Sequence, residues 1–182
     1  MTDKANERDG MSGGGGGPLK LRVRDAEDLE ALAACLQDAL VSLADMAYLE
    51  GERRFVMVAS RFCWECARAD GLEDEPPREE AGDARFEDVE ETPPPFARVN
   101  CGICFDRVRA VRSRGLDRRN RGQILNLLTM RAEAGAIDLV FSGGAEVRLE
   151  VTQIRCHMED LGEPWPTRWR PAHADADAEA DS

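Results

Sequence analysis

Residues 137–154, with the sequence IDLVFSGGAEVRLEVTQI, carry the clearest fold signal in the chain. Val147, Leu149 and Val151 alternate with polar residues, which is the period of a β-strand with one buried face. The run IDLVF is a second strand, and the intervening Ser-Gly-Gly-Ala offers two glycines that readily adopt a positive φ. The segment therefore predicts a hairpin with a type I′ turn, and hence an antiparallel sheet.

Further strands are predicted upstream of this hairpin. Residues 19–23, LKLRV, alternate apolar and basic side chains, and residues 55–64 follow a turn at residues 50–53. Residues 98–111 and 123–131 are also compatible with strands, although the run ILNLL suits a helix on local propensity alone. In total the sequence predicts about six or seven strands.

One amphipathic helix is predicted over residues 25–42. Asp25 is a suitable N-cap, and the acidic residues that follow it favour the positive end of the helix dipole. Leucines recur at spacings of three and four residues: Leu29, Leu32, Leu36, Leu40 and Leu43. The predicted fold class is α+β, a mostly antiparallel sheet with this helix packed on one face.

Composition divides the chain of 182 residues into one domain and three polar segments. A disordered glycine-rich leader is predicted at residues 1–18, an acidic disordered loop at 70–95 and an acidic tail at 172–182. The single domain, residues 19–171, is interrupted by that loop, and deleting residues 71–92 is expected to leave folding intact. Because the sequence has no long apolar run and no secretory signal, we expect a cytoplasmic protein without a membrane partner.

The sharpest motif is a pair of CxxC sequences. Cys63 and Cys66 form the first pair and Cys101 and Cys104 the second, and two such pairs are typical of a structural zinc site. Against zinc, the first pair lies in a run predicted as strand, where residues three apart point to opposite faces. We therefore predict reduced cysteines and no cofactor, and keep a zinc-stabilised domain as the alternative.

A cluster of arginines follows the second pair. Residues 98–121 contain eight arginines and two acids, a net charge of +6, whereas residues 70–91 carry −9. Clustered arginine suits the recognition of carboxylate or phosphate groups, but the overall charge of −12 opposes a nucleic-acid partner. The sequence predicts that an acidic protein partner is contacted by Arg107, Arg109, Arg112, Arg114, Arg118 and Arg119. The acidic loop is expected to cover these arginines and compete with such a partner, so deleting it is expected to raise heparin affinity.

Catalytic motifs are sparse, and the function predicted is non-catalytic binding. The only histidines, His157 and His173, lie in no nucleophile–base motif, and Cys35 is expected to be buried and inert on the helix. The proline- and tryptophan-containing residues 164–171 cannot form a helix, and we expect them to dock along the domain in extended form.

Four segments in this order resemble a family of uncharacterised proteobacterial proteins that share a domain of unknown function. They read LRVRDAEDLEALAACLQDALV, ERRFVMVASRFCWE, FDRVRAVRSRGLD and VRLEVTQIRCHMEDLGEPWPTRWRPAH. The resemblance covers about residues 19–173 and leaves out the leader, the acidic loop and the tail. It implies a bacterial cytoplasmic protein with one domain and a variable central insertion. It implies no activity, and its fixed points include the FDRV and AVRSRG segments but not the four cysteines.

Overall fold

The computed structural model describes residues 17–65, 96–117 and 119–168. The predicted leader (apart from Gly17 and Pro18), the acidic loop at residues 70–95 and the acidic tail lie outside the described residues, as do Cys66, Arg118 and Trp169. None of the helices in the three described ranges is long and apolar enough to cross a bilayer.

The described chain forms one α-helix and ten strands. In chain order they are β1 (Lys20–Val23), α1 (Ala26–Cys35), β2 (Ala39–Leu49), β3 (Arg54–Phe62), β4 (Phe96–Phe105), β5 (Val108–Arg114), β6 (Ile124–Glu133), β7 (Ala136–Phe141), β8 (Glu146–Val151), β9 (Cys156–Asp160) and β10 (Trp165–Thr167). The class is the predicted one, a mostly antiparallel sheet with one helix. The count of six or seven strands was too low, because residues 98–111 belong to two strands, β4 and β5, and because β9 and β10 are separate strands after β8.

All ten strands belong to one sheet, in the order β1-β9-β4-β3-β2-β6-β7-β8-β5, with β10 also paired to β4. Every pair is antiparallel. From Arg98 to Phe105, β4 pairs with β3 on one side. On its other side β10 pairs with the first residues of β4, at Phe96–Arg98, and β9 with the last, at Cys101–Phe105.

The sheet curls until its far edge meets the β2–β3 turn. Val108, the first residue of β5, donates its N–H to the Arg53 carbonyl at 2.9 Å, although four strands separate β5 from β3 in the sheet order. The inner face of this curl holds an apolar cluster that includes Phe55, Phe105 and Leu149. On β3, β4 and β9, alternate residues therefore point to this inner face or to an outer, partly exposed face.

Helix α1 packs against β1 and β6 and buries Leu29 and Leu32. Asp25 caps it as predicted, since its carboxylate accepts a hydrogen bond from the Asp28 N–H at 2.9 Å. The predicted end at residue 42 is wrong: the helix ends at Cys35. Asp38 then takes a positive φ of 60° and donates its N–H to the Leu127 carbonyl, which starts the pairing of β2 with β6.

The two hairpins inferred from sequence are present. The β2–β3 turn lies at Glu50–Glu52, and Gly143 and Gly144 between β7 and β8 both have positive φ, at 70° and 75°. The second strand of the latter hairpin is shorter than residues 146–154, because β8 ends at Val151. Downstream, Trp165–Thr167 dock in extended form as β10.

Candidate functional site: the arginine corner and its neighbours

The arginines predicted to bind a partner lie along and around β5. Arg109, Arg112 and Arg114 are exposed on that strand, Arg107 lies in the corner between β4 and β5, and Arg119 follows in an exposed turn. The sixth, Arg118, is outside the described residues. The five described arginines are therefore not equivalent, because they occupy a strand face, a corner and a loop.

The strand face is already paired within the chain. The Arg112 Nε donates to Glu150 Oε1 and an Arg114 Nη to Glu146 Oε2, each at 2.6 Å. Both glutamates are on β8, the ladder partner of β5. These two arginines take part in a ladder of alternating charge, which leaves their guanidinium groups less available to an outside ligand.

The corner differs from the strand face. Arg53, after the β2–β3 turn, and Arg107 both have left-handed backbone conformations, with φ of 54° and 63°. The hydrogen bond from Val108 N–H to Arg53 O joins the two turns. We call the groove formed here the arginine corner; its volume is about 290 Å³, and it is lined by Glu52, Arg53, Arg54, Asp106, Arg107 and Arg155.

Arg54 is hydrogen-bonded to both acids of the arginine corner. It donates from Nε to Asp106 Oδ1 at 2.8 Å and from Nη1 to Glu52 Oε2 at 3.0 Å. Within the described residues, the side chains of Arg53, Arg107 and Arg155 make no hydrogen bond or ion pair. The four arginines and two acids leave a formal charge of +2 in the groove.

A second groove, of about 460 Å³, continues from the corner along β1 and β9. It shares Asp106 and Arg155 with the arginine corner and adds the exposed Arg22 and Arg24. At its far end Lys20 pairs with Glu159 at 2.6 Å. The positive surface of the corner therefore extends across the edge of the sheet.

The strand register separates the cysteines of the two CxxC motifs. Cys63 donates its N–H to the Ala97 carbonyl, whereas Cys101 and Cys104 lie four and seven residues further along β4. At about 3.4 Å per residue, Cys63 lies roughly 14 Å from Cys101 and roughly 24 Å from Cys104 along the ladder. Cys101 faces the core and Cys104 the outer face. Cys66 lies outside the described residues.

Among the described cysteines, Cys63 alone departs from the expectation of reduced thiols. Cys63 is disulfide-bonded, and the free cysteines are Cys35, Cys101, Cys104 and Cys156. Burial raises the pKa of Cys101 to about 12 and also raises the pKa values of Cys35 and Cys156. Cys35 is half-buried on the helix, less enclosed than expected.

Cys104 lies in a group that the sequence did not single out. Its Sγ, a carboxylate oxygen of Asp106 and an imidazole nitrogen of His157 all lie within 4.8 Å of one another on the outer face. Burial, reinforced by the charge of Asp106, raises the pKa of the Cys104 thiol. A nucleophilic cysteine needs a lowered pKa, so the triad does not have the electrostatics of a thiol catalyst.

Sequence reasoning also missed a buried ion pair. Arg61 is fully buried and donates from Nε and Nη2 to the two carboxylate oxygens of Asp160, at 2.9 and 2.7 Å. Its remaining donors reach Glu65 and the Phe62 carbonyl. Burial lowers the pKa of Arg61, but the bonds to Asp160 and Glu65 raise it by more, so the guanidinium stays charged. This network has a structural role at one end of the core.

Comparison with known proteins adds a family but no function. No curated protein and no solved structure matches the chain. A family model described as a protein of unknown function, DUF2948, matches residues 19–173, the same range as the resemblance noted from the four sequence segments. Since this range is more than half of the 182 residues, the chain belongs to the DUF2948 family of proteins of unknown function.

Proposed function

We propose that this protein is a non-catalytic binding module that takes an acidic partner at the arginine corner. The observation that carries the proposal is the conformation of Arg53 and Arg107, both left-handed. For a residue with a Cβ this conformation costs roughly 1–2 kcal/mol, and glycine or asparagine adopts it more easily. Two arginines at such positions, on one groove, favour a role for their side chains.

The charge of the corner supports the same function. Arg54 satisfies Glu52 and Asp106, so the guanidinium groups of Arg53, Arg107 and Arg155 remain for a ligand. Guanidinium binds carboxylate in a forked, two-bond geometry, which suits aspartate and glutamate side chains. Arg107 is the predicted binding residue that this proposal retains as central, whereas Arg112 and Arg114 contribute less.

An acidic polypeptide fits the corner better than a nucleic acid does. The residues lining the arginine corner and the β1–β9 groove include no phenylalanine, tyrosine or tryptophan on which a base could stack. The net charge of −12 also opposes the approach of a long polyanion. A short acidic segment places all its charge within the groove, so it meets less of this repulsion.

The test is fluorescence anisotropy with a labelled oligoglutamate peptide at low salt. Arg53→Gly with Arg107→Gly removes two guanidinium groups while keeping a residue that favours the positive φ, so the fold is retained. We expect affinity to fall by about tenfold or more, since that factor corresponds to about 1.4 kcal/mol and one hydrogen bond to a charged group contributes about 1.5–3 kcal/mol.

The matched control is Arg112→Ala with Arg114→Ala, which removes the same charge from the paired strand face. It should lower affinity for the peptide by less than about threefold, because it changes only the long-range attraction due to net charge, which salt screens. Equal losses in both double variants would mean that the corner is not the site. If a single-stranded oligonucleotide of equal charge binds more tightly than the oligoglutamate peptide, the partner is a nucleic acid and the proposal of an acidic polypeptide is wrong.

A further inference from the structure

Cys104 and His157 are directly opposite each other on the neighbouring antiparallel strands β4 and β9. Opposed residues on one face have Cβ atoms about 4.5–5.5 Å apart. Asp106 lies two residues after Cys104 and so returns to the same outer face. The three side chains converge because of strand register, although they are far apart in sequence.

The surroundings hold this arrangement in place. β4 is paired with β3 on one side and with β9 on the other, and the ladder continues beyond the strand end, where the Asp106 N–H donates to the Arg155 carbonyl at 2.9 Å. The Arg54 Nε bond to Asp106 Oδ1 orients the carboxylate and leaves Oδ2 for another ligand. Such supporting hydrogen bonds to ligands are typical of metal sites.

We infer that Cys104, Asp106 and His157 form a binding site for a divalent transition metal of the zinc type. One sulfur, one nitrogen and one oxygen donor match the ligands that Zn²⁺ takes in proteins, whereas Mg²⁺ and Ca²⁺ take oxygen alone. Tetrahedral zinc separates its ligand atoms by about 3.3–3.6 Å. The present separations are within 4.8 Å, so small side-chain rotations close the site.

Three protein ligands leave one coordination position for water or an exogenous group. His157 is exposed and Cys104 half-buried, so that position is accessible from the outer face. A thiolate and a carboxylate balance the charge of the metal, which the neighbouring arginines would otherwise oppose. This site goes beyond the proposed function: it shares Asp106 and Arg54 with the arginine corner, but it uses none of Arg53, Arg107 and Arg155, the groups proposed to bind the acidic partner.

The test uses full-length protein, reduced and freed of metal by chelator, titrated with Co²⁺ and by equilibrium dialysis with Zn²⁺. We expect one equivalent of either ion and a thiolate-to-cobalt charge-transfer absorption. The absorption matters because the acidic chain offers many carboxylates that bind cations without a thiolate. No saturable zinc, or cobalt binding without this absorption, overturns the inference.

Variants assign the ligands. Cys104→Ser should abolish the absorption, and His157→Gln and Asp106→Asn should each weaken zinc binding at least about tenfold, while Cys35→Ser changes nothing. Arg54→Met, which removes a supporting hydrogen bond, should weaken zinc binding about 10-fold or more. If Cys63→Ser and Cys101→Ala abolish binding and His157→Gln does not, the metal belongs to the CxxC motifs and the inference is wrong.

Measuring peptide binding and the cobalt spectrum on the same variants separates this inference from the proposed function. Arg53→Gly with Arg107→Gly should lose the acidic peptide and keep the cobalt spectrum. His157→Gln should keep the acidic peptide and lose the cobalt spectrum, because His157 is not among the residues lining the arginine corner. If only one of the two proposals is wrong, only its own measurement, peptide binding or the cobalt spectrum, departs from the expected result.

Discussion

The inner and outer faces of strands β3, β4 and β9 carry the same residue types in opposite surroundings. On the inner face Arg61 pairs with Asp160, with 0% and 7% of their side chains exposed, beside the buried Cys101. On the outer face Arg54 pairs with Asp106, at 47% and 22%, beside the half-buried Cys104. Because the chemistry is matched, the comparison isolates burial: the inner set fixes the core, and the outer set is available to ligands.

The largest contrast is expected in thiol reactivity. Cys101 and Cys156 face the core, and burial raises their pKa values, so they react only when the domain unfolds. With a stability of about 5 kcal/mol or more, their labelling should be at least about 10³-fold slower than that of Cys104. Pulsed alkylation of native protein followed by peptide mapping measures the rates. Equal rates for Cys101 and Cys104 would show that the two faces do not differ in accessibility.

The next largest effect concerns the inner ion pair. Arg61→Met leaves Asp160 buried without its cation, and removing one partner of a buried pair costs about 3–5 kcal/mol. Urea unfolding followed by circular dichroism should show this loss as a lower urea concentration at the midpoint of unfolding. Arg61→Lys is a second variant that keeps the charge but loses the forked geometry, and its loss should be smaller. An unchanged midpoint in both variants would contradict the structural role of the pair.

A smaller effect is expected at Glu65, the half-exposed partner of Arg61. Burial raises the pKa of Glu65, but the hydrogen bond and charge of Arg61 lower it by more, so its pKa lies below the usual 4.5. A carboxyl with a lowered pKa stabilises the fold above its unfolded pKa and loses that contribution as pH falls through the folded one. Glu65→Gln should therefore be less stable than the parent at pH 7, and the difference should vanish at acidic pH. A difference that persists below pH 3 would point to packing instead of charge.

The smallest effect on stability is expected for the outer pair. Arg54 is well exposed, and exposed ion pairs contribute little because water and salt screen them. Arg54→Met should leave the urea midpoint close to that of the parent, and any difference should shrink in 0.5 M salt. A loss as large as that of Arg61→Met would remove the distinction between the faces.

Local sequence patterns predicted the elements whose period is clean. The β7–β8 hairpin followed from Val147, Leu149 and Val151 with two glycines, and β1 from its alternation. The helix was predicted too long because Leu36 and Leu40 continue the helical spacing, whereas β2 begins at Ala39 and leaves Leu40 exposed. The leucine spacing is compatible with a helix and with a strand, and it is the pairing with β6 that makes these residues a strand.

The site could be predicted in composition but not in arrangement. Strand β9 was missed because Asp160 occupies an inward position that normally holds an apolar residue, and its partner Arg61 is 99 residues away in the chain. Likewise, the pairing of Cys104 with His157 depends on a register between distant strands. Arg112 and Arg114 were correctly identified as clustered, but the glutamates of β8 that engage them were not foreseen.

The pairing of β3 with β4 brings the two ends of the chain segment between them close together. Phe62 lies directly opposite Arg98, so the chain leaves and re-enters the sheet at neighbouring points. The entropy of closing a loop grows only with the logarithm of its length, and each doubling costs about 0.6 kcal/mol. A foreign domain whose own ends are close together can thus be spliced between these strands, which would make the fold a carrier for a reporter or an epitope.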